Sequence, residues 1–346
     1  MRRRWTVAIG LLVSGLFLYF AVRGARIDEM LEALARANYL YMIPCVAATL
    51  LAFWIRALRW RYLMASIRVI PQGLVFAATM IGFLANNVLP ARLGELVRAH
   101  VVGRRAGISR SSALATILVE RIFDLFTLLG LFAVVAAVSE FPMGLDRVAL
   151  IVLGIGVATL VLLVIWHLHP QRFVHVLLRI VPRRFRHSIE DLGLRFGEGL
   201  GVFDRAGSLI LVGFLSLAMW GLILAVVWLS ILAVSIDIPQ PEGAMVALVA
   251  IALVTMVPSA PGFIGTLQGG GTAALLVFGI PKEQGLAFTI VFHATQWFPV
   301  NAVGLYYLFR EGLSFGQLSR IAEQEEPEDR AGGSRLLERE KPSDDA

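Results

Sequence analysis

Between Trp5 and Val22 the chain runs eighteen residues without a charge, and comparable apolar runs recur along its length, separated by arginine-bearing segments. About 20 apolar residues suffice to cross the hydrocarbon core of a bilayer as a helix, so this repeated pattern leaves few folds open. Composition agrees: 58% of the 346 residues are apolar and 16% charged, against about 45–50% and about 25% in soluble domains. Disordered chains, disulfide-stapled miniproteins and most soluble enzymes are excluded. The expected class is an all-α polytopic membrane protein with about six full transmembrane helices and two re-entrant segments.

Charge orients the spans, because Lys and Arg gather on the cytoplasmic side. Arg2, Arg3 and Arg4 precede the first run, which places the N-terminus inside. Residues 23–38 balance three basic against three acidic residues and belong outside; a second span, 39–55, returns to Arg56, Arg59, Arg61 and Arg68 inside. Residues 69–86 are apolar, yet 87–112, with five arginines and one glutamate, belong to the same inner side. A segment that leaves and returns to one side is re-entrant, which is tolerated where it is buried in protein or lines a wet cavity.

Residues 113–138 then cross outward and 148–166 inward, to a basic cytoplasmic connector at 168–207. Its stretch VLLRIVPRRFRH either lies on headgroups or is a solvated helix. Residues 208–234 cross outward, 244–257 enter a second re-entrant turn rich in Pro and Gly, and 285–309 cross inward. The acidic remainder, 313–346, reads as a disordered cytoplasmic tail. From Ser319 onward five basic residues face nine acidic ones, so the formal net charge of +6 hides +10 in residues 1–318. Arginines lying between apolar runs exclude a nucleic-acid partner and point to the inner (plasma) membrane, with both termini cytoplasmic. The single cysteine, Cys45, allows no intrachain disulfide, and the six histidines show no metal-ligand spacing. No metal or other cofactor is expected.

Within residues 1–312, taken as one transmembrane domain, two halves at about 39–138 and 208–310 resemble each other. Pro90 and Gly94 match Pro261 and Gly265 at an offset of 171, and Gly107-Ile108 matches Gly279-Ile280 at 172. The arginines at 56–68 and 87–112 have no basic counterparts except Lys282, so charge vanishes or changes sign between the halves. That is the signature of an inverted-topology repeat, a design in which broken segments of both halves meet at a substrate site.

Three polar clusters interrupt the apolar pattern. Asn86, Asn87, Arg92, Glu95 and Arg98 follow the first re-entrant run, with Arg92, Glu95 and Arg98 spaced as one helical stripe. Arginine forks grip phosphate oxygens, so this is either a headgroup site or a solvated interfacial turn. Glu120, Arg121 and Asp124 lie inside a span, where each charge costs roughly 2.5–3.5 kcal/mol. They form a substrate or proton site, or an ion pair locking the span to the first re-entrant segment, for instance Glu120 with Arg92 or Arg98. Pro261, Gly262, Gly265 and Gln268 form a broken turn whose freed amides could hold an anion, or a tight packing contact between small residues. His293 and Gln296 sit on the next span. No catalytic residue stands out.

The ordered combination NNVLPARLGELVRAHVV, ATILVERIFDL and VPSAPGFIGTLQGGG resembles the transmembrane, flippase-like region of lysylphosphatidylglycerol synthases, over approximately residues 5–312. The resemblance implies an integral membrane protein that moves an anionic or isoprenoid-phosphate lipid between leaflets, with the polar clusters as its binding residues. It does not carry the aminoacyl-transferase activity across, since the 37 residues after Phe309 are too few for that soluble domain. The chain is therefore expected to be no enzyme itself, with a separate lipid-synthesising enzyme as a possible partner. A membrane-embedded lipid transferase and a non-transporting scaffold are the alternatives. Gln268 and Gln296 replace charged residues frequent in relatives, which alters the second half-site.

Overall fold

The computed structural model describes residues 2–89, 93–138, 145–180, 190, 193, 206–255 and 259–323. Among these, every regular element is helical. In chain order they are α1 (Arg2–Val22), α2 (Ile27–Ala35), a 3-10 turn (Tyr39–Tyr41), α3 (Met42–Met64), α4 (Gln72–Val88), α5 (Gly94–Ala106), α6 (Arg110–Val138), α7 (Leu145–Leu168) and α8 (Pro170–Ile180). They continue with α9 (Ala206–Ala233), α10 (Glu242–Val254), a 3-10 turn (Pro261–Phe263), α11 (Thr266–Leu276), α12 (Lys282–Arg310) and α13 (Phe315–Glu323). Of the described helices, those covering 39–64 and 207–233 are long and apolar enough to cross a membrane on length and composition alone. At 29 residues each, α6 and α12 span about 43 Å at 1.5 Å per residue, but polar side chains interrupt their middles. Large apolar residues such as Ile43, Leu51, Ile210, Phe214 and Phe298 remain exposed on the outer faces.

Two hairpins are built from the shorter helices. The α4–α5 pair closes on itself because Gly82 and Gly94 bring the two backbones together: a Cβ on Gly94 would collide with Gly82 O and with the Asn86 amide. Asn86 Oδ1 accepts the Gly94 N–H at 2.8 Å, tying the end of α4 to the start of α5. At the open end of the hairpin, Arg68 Nη1 donates to Ala106 O at 2.5 Å, so the chain enters and leaves at one place. In the second hairpin, α10–α11, Gly270 lies against Val254 and Gly271 against Ile251. The helix ends also correspond: Ile108 N–H reaches Gly103 O and Ile280 N–H reaches Leu275 O, both at 3.3 Å.

The set α3–α6 and the set α9–α12 pack by one rule. Each long helix contacts the next short one (α3 with α4, α9 with α10), each hairpin contacts the following long helix (α5 with α6, α11 with α12), and α4 contacts α12 as α10 contacts α6. The contact between α3 and α9 joins the sets, so the pattern maps onto itself when they are exchanged.

Two expectations need correction. The span ending at Ile55 continues as α3 to Met64, so Arg56 and Arg59 lie on a helix, and are buried, because carboxylates on α6 draw them in. The tail expected to be disordered from 313 begins with α13, which packs on α5 through the buried Leu318 and Ile321. Most of the 168–207 connector, and the tail beyond 323, lie outside the described residues.

Close backbone approach makes Gly94 intolerant of a side chain. Gly94→Ala is expected to lower stability by about 1–3 kcal/mol through overpacking. Gly130→Ala, on an α6 face with nothing within 4 Å, should be neutral or stabilise by about 0.5–1 kcal/mol. Thermal unfolding in detergent measures both.

Candidate functional site

Five charged side chains are buried together where α3, α5 and α6 meet. Arg59 and Glu120 have no exposed surface, Arg98 1%, Asp124 4% and Arg56 7%. Burial of single ions costs several kcal/mol each, an amount offset only by close pairing, and the pairing is dense. Arg98 engages Glu120 with both Nη atoms, Nη2 to Oε2 at 2.6 Å and Nη1 to Oε1 at 3.2 Å. Asp124 receives Arg59 Nη1 on Oδ1 at 2.7 Å, Arg56 Nη1 and Arg121 Nη1 on Oδ2 at 3.3 Å each, and the Trp220 indole N–H at 3.2 Å. Arg59 Nη1 also donates to Ser216 Oγ at 2.8 Å, which brings α9 into the network.

Aromatic faces complete the surroundings. The Arg98 guanidinium lies 3.7 Å from the Trp60 ring centroid, and Arg56 lies 5.3 Å from that of Phe83. A planar, weakly hydrated guanidinium tolerates such stacking where an ammonium would not. The register follows from helix geometry. Arg56 and Arg59 share one face of α3, and Glu120 and Asp124, one turn apart, share one face of α6.

The network is not neutral. Among the described residues three arginines (56, 59 and 98) face two carboxylates, and adding the partly exposed Arg121–Glu95 pair, 3.5 Å apart, keeps the excess at one positive charge. Nε of Arg59, Arg98 and Arg121 and Nη2 of Arg59 are buried without a hydrogen-bond partner among the described residues; that Nη2 lies 3.4 Å from Glu120 Oε1, an ion pair only. Unused guanidinium donors and a residual positive charge suit an anion with several acceptor oxygens.

A second polar region forms where the turn of the second hairpin meets the end of α4. Gly262, at φ +70°, sits so close to α12 and α4 that a Cβ would lie 3.0 Å from Trp297 Nε1 and 3.6 Å from Asn87 O. Only glycine adopts that conformation without strain. Asn87 Nδ2 donates to Asn301 Oδ1 at 3.1 Å, and Ser259 Oγ is buried with no hydrogen-bond partner among the described residues. Gln268 accepts the Gly265 N–H at 2.8 Å and pairs with His293 Nδ1 at 3.1 Å. The turn also receives α1: the Ala260 N–H donates to Ser14 Oγ at 2.7 Å.

The sequence-predicted residues thus fall into two groups. Glu95, Arg98, Glu120, Arg121 and Asp124 come together in the ion network. Asn87, Pro261, Gly262, Gly265, Gln268 and His293 gather around the second turn, while Gln296 stands apart on Thr49 Oγ1 at 2.7 Å and Asn86 serves the first hairpin. Arg92 and its neighbour Pro90 lie outside the described residues. Of the two readings of Glu120, the ion pair with Arg98 is present. Arg56, Arg59, Ser216 and Trp220 were missed; the i,i+3 spacing of Arg56 and Arg59 directly after an apolar run was the available signal.

Glu120→Gln would leave Arg98 and Arg59 facing an uncharged partner in the interior. It is expected to cost about 3–5 kcal/mol of stability, as in other broken buried pairs. Glu95→Gln, at a half-exposed pair, should cost no more than about 1 kcal/mol. Melting temperatures of the purified variants separate the two.

Residues 7–304 match the family described as lysylphosphatidylglycerol synthase TM region. The chain is 32% identical over 157 residues to Glycosyltransferase AglD of Haloferax volcanii, an alignment covering 45% of this chain and 25% of that protein, so it spans a quarter of that relative's length. A UPF0104 membrane protein of Methanothermobacter thermautotrophicus is 23% identical over 295 residues, 80% of this chain and 87% of the relative. UPF0104 membrane protein MJ1078 of Methanocaldococcus jannaschii is 22% identical over 230 residues, 66% and 95% respectively. A match over most of the chain, together with its apolar helices, makes this a membrane protein that belongs to the lysylphosphatidylglycerol synthase TM region family.

Proposed function

We propose that this protein moves an anionic phospholipid or isoprenoid-phosphate lipid between the leaflets of the plasma (inner) membrane. In this reading α1, α3, α6, α7, α9 and α12 cross the bilayer. The α4–α5 and α10–α11 hairpins enter from opposite sides as re-entrant segments of an inverted repeat. The observation that carries the reading is the packing of the second hairpin's turn on the end of α4, Gly262 against Asn87. Non-helical backbone at membrane depth is stable only inside protein or along a cavity, and transporters place their substrate sites at such junctions.

Charge supports the orientation. Arg61, Arg68, Arg104, Arg105, Arg110 and Arg310 lie at the helix ends grouped with the open end of the first hairpin, where Arg105 pairs with Glu311 at 3.1 Å. The opposite end carries Asp28, Glu29, Glu32, Asp146, Asp237, Glu242 and Glu283 beside Arg23, Arg26, Arg36, Arg147 and Lys282. By the positive-inside rule the first end, with α13 and the tail, is cytoplasmic; the N-terminus, one span before α2, is cytoplasmic too.

Alternating exposure of the region between the hairpins would carry the phosphate past the bilayer centre. Arg121 and its neighbours supply positive charge, and the second turn supplies neutral donors. Transport is favoured over catalysis because both Glu120 and Asp124 are occupied by arginines, so neither is a free general base. The relative named a glycosyltransferase favours a separate transferase as a partner that makes or consumes the lipid.

Reconstitution in liposomes with labelled lipids tests the proposal. Labelled phosphatidylglycerol should exchange leaflets faster than in protein-free vesicles, and Arg121→Ala should return the rate to the protein-free value while the protein stays folded. Equal exchange by folded wild type and variant, or none for any anionic lipid, would contradict it.

A further inference from the structure

The ion network has one partly open position. Arg59 and Arg98 are sealed, but Arg121 and Glu95 keep 38% and 35% of their side-chain surface exposed. Arg121 lies eleven residues into α6, about 16 Å from its start at 1.5 Å per residue, so the opening is at depth rather than at a helix end. Here Glu95 Oε1 is 3.5 Å from Arg121 Nη2, beyond the 2.7–2.9 Å of a charge-assisted hydrogen bond, whereas the sealed Arg98–Glu120 contact is 2.6 Å. On the same side chain, the buried Arg121 Nε has no hydrogen-bond partner among the described residues.

Resting on the translocation reading, we propose that Glu95 is an exchangeable placeholder. Its carboxylate occupies the position on Arg121 that the phosphate group of the substrate takes, and binding releases it. A phosphate offers more acceptor oxygens than a carboxylate, so it can satisfy Arg121 Nη2 together with the Arg121 Nε that Glu95 leaves unmet. Counting Glu95, the network carries one surplus positive charge among the described residues, and two once Glu95 is released, so a phosphate bearing one negative charge restores the resting balance. A headgroup with an additional cationic group does not. Releasing Glu95 also breaks the loose contact between α5 and α6 while the Arg98–Glu120 contact holds, so binding frees one end of the first hairpin without dismantling the fold.

The placeholder predicts a gain on removing a charge. The full chain is reconstituted in nanodiscs with equal phosphatidylglycerol and phosphatidylcholine, and retained lipid is read by native mass spectrometry. Wild type is expected to retain phosphatidylglycerol preferentially. Glu95→Gln should retain it about fivefold more tightly, the worth of a half-exposed ion pair, and Arg121→Gln less tightly than wild type. Unchanged or weaker retention in Glu95→Gln overturns the proposal. Should that variant not fold, Arg121→Lys against Arg121→Gln decides: retention kept by Lys and lost with Gln supports it, and equal retention overturns it. Inorganic phosphate added in detergent distinguishes sources. Greater thermal stabilisation of Glu95→Gln than of wild type indicates a free anion, and lipid selectivity without it indicates a headgroup. Tighter retention with no leaflet exchange in any variant removes the translocation reading but leaves the placeholder; variant-sensitive exchange with unchanged retention does the reverse.

Discussion

Arg98 on Glu120, two charges sealed inside an apolar bundle and joined through both Nη atoms, fixes the first hairpin against α6. Without a partner either ion would be expelled from the interior; with it, α5 cannot swing away from α6. The pair recruits its neighbours. Glu120 also faces Arg56 and Arg59 on α3, and through Asp124 the same arginines are linked to Trp220 on α9. A single ionic centre therefore positions four helices, including the α3–α9 contact on which the two sets of helices meet.

Among the described residues the second set shows no such centre. Its hairpin is held by glycine contacts and neutral hydrogen bonds, among them that of Gln268 with His293. Its other anchors lie outside the set: α1 presses Ser14 and Phe17 onto Gly265 and Gly269. Lys282 donates to Phe20 O and Arg23 O at 3.1 and 3.0 Å, closing the end of α1. Elements packed by one rule thus differ in chemistry, one half ionic and rigidly paired, the other neutral and glycine-packed. That asymmetry suits a site that holds a phosphate on one side and lets backbone move on the other.

Much of this was legible in the sequence because membrane helices write their boundaries in charge. The end of α4 and the break at 259–265 were readable from Pro90 and Pro261 with their glycines, and an arginine partner for Glu120, Arg92 or Arg98, from the cost of leaving a carboxylate alone among apolar residues. Arg56 and Arg59 misled for the same physical reason. Arginines after an apolar run ordinarily mark a loop at the membrane surface, and only a carboxylate from a distant helix draws them inward. Pairings such as Asn87 with Asn301 or Gln296 with Thr49 depend on side chains more than 200 residues apart, which no local pattern encodes. The α13 helix was hidden by the acidic composition that follows it, although Leu313, Leu318 and Ile321 already carried an apolar spacing.

A double-mutant cycle on Arg98→Met and Glu120→Gln, read by the free energy of unfolding in detergent, tests the ionic centre most directly. If these two ions hold the hairpin, each single change is strongly destabilising and the double change much less so than their sum, with a coupling of about 2–3 kcal/mol. Additive effects within about 0.5 kcal/mol would contradict the account, since the two side chains would then not depend on each other for their burial.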